Sequence, residues 1–182
     1  MIIIHMDTQQ DTHVLDALYK GFSELDNIIM VNPTRDEVEA TLNEYPNENV
    51  MLIGHGDYFG LWASDDDFYN ASNYVIDGHN VDLLYNRDVI GIWCYASSFA
   101  KRYNLRGFFT YMFVSNSSEA QFMGFGEHTN EFCNEQNVKF CNQINKLITE
   151  NVNMADWTDK LTHDDVNFVN YNYKHLKYLY GY

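Results

Sequence analysis

The sequence predicts an α/β protein, a three-layer sandwich with a mostly parallel central sheet and additional C-terminal helices. Short apolar runs recur through the first two thirds of the chain. Each run is continuous, as expected for parallel strands that are covered by helices on both faces. Segments with apolar residues at helical spacing lie between the runs, and this alternation indicates an α/β fold. After residue 120 the apolar spacing is helical throughout.

The first strands and helices follow in order along the chain. Residues 2–6 and 27–31 are apolar runs that predict two buried strands, and apolar residues at helical spacing over 14–22 predict the helix between them. Thr34 is predicted to cap a second helix, because Glu37 stands at the position that completes a capping box. These segments therefore form a strand, a helix, a strand and a further helix.

The remaining strands of the core come next. Residues 50–53, 89–93 and 108–114 are apolar runs, and residues 97–103 between the last two are predicted to form a helix. Residues 57–87 are polar and irregular, with one short helical candidate over 81–85, and they predict loops above the sheet. The core is thus predicted to contain five strands in all.

The C-terminal third is predicted to be helical, with apolar stripes over 133–148 and 166–180. With 182 residues, of which 46% are hydrophobic, the chain can bury one sizeable core. It shows no internal repeat and no linker composition. We therefore expect a single domain over residues 1–182, with an α/β core over 1–120 and a mainly helical part over 121–182.

Charge and cysteine content narrow the class of protein. A net charge of -15 disfavours nucleic acid and anionic membranes as partners. Neither a secretory signal nor an apolar run of membrane-spanning length is visible. The cysteines Cys94, Cys133 and Cys141 form an odd set without paired short spacings, which argues against a disulfide framework and a cysteine-rich zinc site. A reducing cytoplasm is the expected location.

A histidine and a cysteine follow two of the predicted strands. His55, flanked by glycines, follows strand 50–53, and Cys94 follows strand 89–93. The carboxyl ends of parallel strands meet at one edge of a sheet, so both residues are expected there. An imidazole can serve as base for a thiol, and the helix that follows Cys94 favours the thiolate. The backbone amides of Gly56 and Cys94 are placed to stabilise an oxyanion.

The order of strand, His55-Gly56, strand and Cys94 resembles the caspase-like superfamily (clan CD) of cysteine peptidases, which includes caspases, metacaspases, gingipains, separases and CHAT-domain proteases. The resemblance covers about residues 1–120 and implies a caspase-like domain with His55 and Cys94 as a catalytic dyad. It also implies an endopeptidase that works through a thioester, without a cofactor. The Gln-Ala pair that precedes the cysteine of caspases proper is absent, so the resemblance is to the superfamily.

The same resemblance implies where a protein or peptide substrate binds. Family members build the pocket for the residue before the scissile bond from the end of the first strand and from the segment after the fifth. Asp7 and Ser118-Glu119 occupy these positions here, and their acidity favours Lys or Arg in the substrate. Some members carry an aspartate two places before the cysteine for this purpose. Ile92 stands there in this chain, so that part of the specificity is not carried over.

The alternative is a catalytically inactive caspase-like module that binds a regulatory protein partner in the same cleft, as part of a larger bacterial assembly. The histidines lack paired metal-ligand spacing, so no metal site is expected. Asp65-Asp66-Asp67 lacks the ligand pattern of a calcium loop and is predicted to be a solvated loop. The calcium dependence of some metacaspases leaves calcium regulation open.

Two further groups of residues are expected to be structural. Cys133 and Cys141 lie on the apolar stripe of a predicted helix, where free cysteines are usually part of the core. The tyrosines between 171 and 182 could bind a partner or a carbohydrate, but packing of a C-terminal helix on the sheet accounts for several of them.

Overall fold

The computed structural model describes residues 1–8, 10–63 and 74–181. Its strands are β1 (Ile2–His5), β2 (Ile28–Val31), β3 (Val50–Ile53), β4 (Gly56–Asp57), β5 (Gly60–Trp62), β6 (Tyr74–Ile76), β7 (Asp88–Ile92), β8 (Arg106–Phe109) and β9 (Lys177–Tyr180). Its helices are α1 (Gln10–His13), α2 (Arg35–Glu44), α3 (Ala96–Tyr103), α4 (Ser117–Phe122), α5 (Asn130–Thr149), α6 (Trp157–Lys160) and α7 (Asn167–Lys174). Short 3-10 helices cover Val14–Leu18, Val81–Leu84 and Met154–Asp156.

The central sheet has six strands in the order β2-β1-β3-β7-β8-β9. The first five are parallel to one another, and β9 runs antiparallel to β8 at the edge. Helices cover both faces, so the predicted α/β sandwich is confirmed. Its parallel strands place five carboxyl ends on one edge of the sheet, where ligands bind in folds of this kind.

Alternate residues of each strand supply the two faces of the sheet. On one face, Ile4 and Leu52 pack with residues of α2 and α3, among them Val38 and Phe99. On the other face, Met51 and its neighbours pack with the 3-10 helix at Val14–Leu18 and with α5. The central strands β1 and β3 are therefore buried on both sides, which explains their continuous apolar runs.

The N-terminus of α2 is built as the sequence predicts. The Thr34 hydroxyl oxygen accepts a hydrogen bond from the Glu37 amide, and the Glu37 carboxylate accepts one from the Thr34 amide. Both bonds together form the predicted capping box. The hydrogen bonds to Thr34 also lower the pKa of the Glu37 carboxyl.

The structure contains strands within residues 57–87, where the sequence predicts loops and one short helical candidate. Strands β4, β5 and β6 form a separate antiparallel sheet of three strands in this region. These strands are two or three residues long, too short to produce a hydrophobic period in the sequence. Asp65-Asp66-Asp67 lies outside the described residues.

Three other predicted elements have different bounds or a different type. Within the segment over 14–22 only Val14–Leu18 is helical, as a 3-10 helix, and α1 lies directly before it at Gln10–His13. Strand β8 ends at Phe109 instead of residue 114, because Thr110 turns toward Trp93 and hydrogen-bonds to it. The helical stripe predicted over 166–180 ends at Lys174, and the following tyrosine-rich residues form β9 by pairing with β8.

The C-terminal part otherwise follows the prediction. Helix α5 carries the predicted apolar stripe, and it packs against the 3-10 helix at Val14–Leu18. A third buried cluster joins Val114 and Ala120 to Cys133, Phe168 and Val169. Within the described ranges, the helices lack the combination of length and apolar character needed to cross a bilayer.

Candidate active site

His55 and Cys94 follow neighbouring strands at the carboxyl edge of the sheet. Strands β3 and β7 are paired in parallel, with Ile53 opposite Ile92. The Gly54 amide donates a hydrogen bond of 3.2 Å to the Ile92 carbonyl and extends this pairing toward both residues. His55 lies two residues after Ile53, and Cys94 lies two residues after Ile92. Both side chains are half-buried.

A tight hairpin fixes the backbone around His55. Strands β4 and β5 form it, and the Trp62 amide donates a hydrogen bond of 2.9 Å to the His55 carbonyl. The Asp57 carboxylate closes the turn by accepting from the amides of Phe59 at 2.7 Å and Gly60 at 3.3 Å. The position of His55 is therefore set by a hydrogen-bonded element and not by an open loop.

This hairpin packs directly on the residue before Cys94. The Trp93 indole donates a hydrogen bond of 3.1 Å from Nε1 to the Asp57 carbonyl. A methyl group on Gly56 would lie 2.3 Å from Trp93 Cδ1 and 2.4 Å from the Gly60 carbonyl oxygen. The segments that carry His55 and Cys94 thus contact one another through Trp93, and glycine is required at 56 by this contact.

The direction of the Gly56 amide follows from the same hairpin. The His55 carbonyl points at β5, where it accepts from the Trp62 amide. Polar groups of successive residues in a strand point in opposite directions. The Gly56 amide therefore points away from β5, a direction compatible with the predicted oxyanion site.

Thr110 holds the backbone next to Cys94. Its buried hydroxyl accepts from the Trp93 amide at 3.1 Å and donates to the Trp93 carbonyl at 2.7 Å. The Ser97 amide donates to the Thr110 carbonyl at 2.7 Å, which ties the start of α3 to the same residue. Sequence analysis missed this role, because a threonine within an apolar run gives no pattern that marks it.

Cys94 lies at a sharp turn from β7 into α3. Tyr95 adopts a left-handed backbone conformation, with φ of 67°, and its amide donates to the Tyr111 carbonyl at 3.1 Å. The Cys94 thiol donates a weak hydrogen bond from Sγ to the Phe113 carbonyl at 3.6 Å. A thiol can donate this bond, whereas a thiolate would give it up.

The residues predicted to form the substrate pocket lie on either side of the dyad strands. Asp7 follows β1, which neighbours β3, whereas Ser118 and Glu119 belong to α4, which follows β8. Asp7 Oδ2 lies 2.8 Å from His13 Nδ1, and this hydrogen bond raises the pKa of His13. The pocket itself stays a prediction.

Glu119 is also committed to a hydrogen-bonded turn. Its Oε2 accepts from the Ser115 amide at 2.7 Å and from the Ser115 hydroxyl at 2.9 Å. The Glu119 amide in turn donates to the Asn116 side chain at 2.9 Å, which caps α4. Ser118 is exposed. The acidic groups at the two predicted positions thus already hold partners within the chain.

Aromatic rings form a continuous row past Cys94, which sequence analysis did not foresee. The ring centroids of Phe59 and Tyr58 are 4.3 Å apart, those of Tyr58 and Tyr95 6.4 Å, and those of Tyr95 and Tyr111 4.9 Å. His175 continues the row at 5.6 Å from Tyr111 and 4.4 Å from Tyr171. The sequence did offer one indication of this row, since Tyr58 and Tyr95 lie close to His55 and Cys94 along the chain.

The other cysteines are core residues, as expected. Cys133 and Cys141 are both buried on α5, and burial raises the pKa of each thiol. Cys94 is the most exposed of the three cysteines, and all three are free thiols.

A scan against protein-family models, a search of curated proteins and a search of solved structures found no match to this chain. The site geometry is therefore the basis for assigning a function.

Proposed function

We propose that this protein is a caspase-like cysteine endopeptidase with His55 and Cys94 as its dyad. The observation that carries the proposal is the pairing of β3 with β7, in which Ile53 opposite Ile92 brings the two following segments to one place. The hydrogen bond from Trp93 to Asp57 locks these segments together. Acidic composition and three free cysteines agree with an enzyme that acts on proteins or peptides in a reducing cytoplasm.

The chemistry would proceed in two half-reactions. His55 takes the proton of the Cys94 thiol, and the thiolate attacks the substrate carbonyl to form a C–S bond. Backbone amides of Gly56 and Cys94 stabilise the oxyanion of the tetrahedral intermediate. The C–N bond then breaks as His55 returns the proton to the leaving amine. Water hydrolyses the thioester with His55 as base, and the thiol is restored.

One local feature favours the thiolate of Cys94. The sulfur lies just ahead of α3, at the positive end of its dipole, and Lys101 and Arg102 complement the opposite end. The amides of Tyr95, Ala96 and Ser97 already donate to carbonyls of the chain, so the effect on the sulfur comes from the dipole of the helix. Activation also requires the thiol to leave its hydrogen bond with the Phe113 carbonyl, which a bound substrate would displace.

The test is the pH dependence of Cys94 alkylation by iodoacetamide, followed by mass spectrometry of the labelled peptide. Exposure alone makes Cys94 faster than Cys133 and Cys141, so the rate ratio among cysteines is not decisive. An activated thiolate gives a half-maximal rate well below the ordinary thiol pKa of about 8.5, and His55→Ala moves the midpoint back to that value. His79→Ala, at an exposed histidine, is the matched control.

Hydrolysis needs its own measurement. We expect a peptide library to be cleaved by the native chain and not by Cys94→Ala protein. An alkylation midpoint at a pH of about 8.5 in the native chain, unchanged by His55→Ala, would refute the dyad.

The second candidate is the inactive caspase-like module that binds a protein partner. The hydrogen bond from the Cys94 thiol to the Phe113 carbonyl favours it, because the nucleophile of a cysteine peptidase is the thiolate and not a hydrogen-bonded thiol. Under this hypothesis the alkylation midpoint is ordinary, and no peptide is cleaved.

A further inference from the structure

The aromatic row links both halves of the candidate active site. We define it by the rings of Phe59, Tyr58, Tyr95, Tyr111, His175 and Tyr171, in that order. It begins in the hairpin that follows His55, passes the residue after Cys94, and ends on α7. Six rings from four segments of the chain thus line the path beside the nucleophile.

The row is open to a ligand and close to the sulfur. Tyr58 and Phe59 are 46% and 47% exposed, and the other four side chains are half-buried. The pKa of Tyr171 is raised, mainly by burial and further by the charges of Tyr111, Tyr95 and Cys94. The Tyr171 hydroxyl therefore lies close enough to Cys94 and to the other two tyrosines for their charges to act on it.

The charges around the row disfavour a basic ligand. The Arg102 guanidinium lies 5.8 Å from the Tyr58 ring centre and 5.3 Å from that of Phe59, so a cation already occupies one end. The acidic groups predicted to hold a basic side chain are bonded elsewhere, Asp7 to His13 and Glu119 to Ser115. In the part of the chain that the structure describes, a second cation at the row would meet Arg102, and neither Asp7 nor Glu119 is available as its partner.

We propose that the aromatic row binds an aromatic or large apolar side chain of the peptide substrate, at the residue whose carbonyl Cys94 attacks. This inference rests on the proposed peptidase function and names its specificity. Ring-to-ring contacts in edge-on or tilted geometry are the chemistry that such a row offers. It replaces the preference for Lys or Arg that the acidic residues predicted from the sequence.

The experiment uses two tripeptidyl acyloxymethyl ketones that differ only in the residue bearing the ketone, Phe or Lys. The Cys94 thiolate forms a C–S bond to the methylene carbon and expels the carboxylate, so the rate of inactivation reports binding of that residue. We expect the Phe compound to react at least tenfold faster than the Lys compound. Equal rates, or faster reaction of the Lys compound, overturn the inference.

Variants of Tyr171 test whether the row is responsible. Tyr171→Ala removes a ring of the row and should lower the Phe-to-Lys rate ratio several-fold, whereas Tyr171→Phe keeps the ring and should keep the ratio. Tyr180→Ala is the matched control, because Tyr180 is 78% exposed on β9 and outside the row. An unchanged ratio in Tyr171→Ala protein overturns the role of the row.

A separate arm distinguishes failure of the inference from failure of the dyad. Iodoacetamide carries no recognised side chain, so its pH profile reports on His55 and Cys94 alone. In Cys94→Ala protein, binding of the corresponding Phe and Lys tripeptide amides is compared by isothermal titration calorimetry. Tighter binding of the Phe amide supports the inference even if the dyad is inactive, and equal or weaker binding overturns it.

Discussion

At the scale of single residues, the candidate nucleophile depends on neighbours that no motif identifies. His55 and Cys94 were predictable, because each follows an apolar run and the ends of parallel strands converge. The role of Thr110 was not predictable, since its two hydrogen bonds to Trp93 arise only when β8 ends early. A buried hydroxyl with both a donor and an acceptor role fixes the backbone on which Cys94 is carried.

Replacing Thr110 tests this dependence. Thr110→Val keeps the volume but leaves the Trp93 amide without its partner, whereas the Trp93 carbonyl keeps its bond from the Ala96 amide. We therefore expect the free energy of unfolding to fall by about 1–3 kcal/mol. Urea denaturation measures this loss. If the dyad is active, the alkylation rate of Cys94 near neutral pH should also fall, because the turn that carries the sulfur loosens.

Thr110→Ser is the matched control, since it keeps the hydroxyl and removes only a methyl group. It should keep the native pH profile of Cys94 alkylation and lower the free energy of unfolding by about 1 kcal/mol through the lost packing. A Thr110→Val protein with native stability and a native profile would show that Trp93 is held by other contacts.

At the scale of elements, the sequence revealed long apolar strands and missed short or edge ones. Strand β3 was predicted with its observed bounds because both of its faces are buried, which leaves an uninterrupted apolar run. The sequence predicts a helix through β9, because Leu176 and Tyr180 continue the helical spacing of Val166, Val169 and Tyr173. Pairing with the edge of β8 decides its structure, and that contact is not encoded within the segment.

The β4–β5 hairpin is the element that joins the two halves of the site. Its strands have two and three residues, so it is stable only through its contacts with Trp93 and with β6. Sequence analysis assigned the Gly56 amide to the oxyanion site. The structure gives Gly56 a packing role as well, because a methyl group there would overlap Trp93 and the Gly60 carbonyl.

Gly56→Ala should therefore destabilise the protein through overpacking. The added methyl group meets Trp93 Cδ1 at 2.3 Å, and we expect a loss of about 1–3 kcal/mol in urea unfolding, with a changed Trp emission spectrum. Gly124→Ala is the control for the emission readout: its φ of +77° costs about 1–2 kcal/mol, but its methyl group meets nothing within 4 Å, so the Trp emission spectrum should stay native. Native stability and emission in Gly56→Ala protein would contradict the packing of the hairpin on Trp93.

At the scale of the whole molecule, the dominant feature is its surplus of negative charge. The chain has 26 acidic against 11 basic side chains. Several of the cations are already used in ion pairs, such as Arg35 with Asp77 and Lys139 with Asp164. Acidic side chains are thus in excess by a net charge of -15, and folding brings these charges closer together than they are in the unfolded chain.

Salt should consequently stabilise the fold. Raising NaCl from about 10 mM to about 150 mM shortens the Debye length from about 30 Å to about 8 Å, which screens long-range repulsion more than short ion pairs. We expect the free energy of unfolding, measured in urea because urea is uncharged, to rise by on the order of 1 kcal/mol. Glu24→Lys at an exposed position lowers the surplus charge and should reduce this salt effect. A fall in stability with salt would mean that ion pairs such as Arg35–Asp77 outweigh the general repulsion.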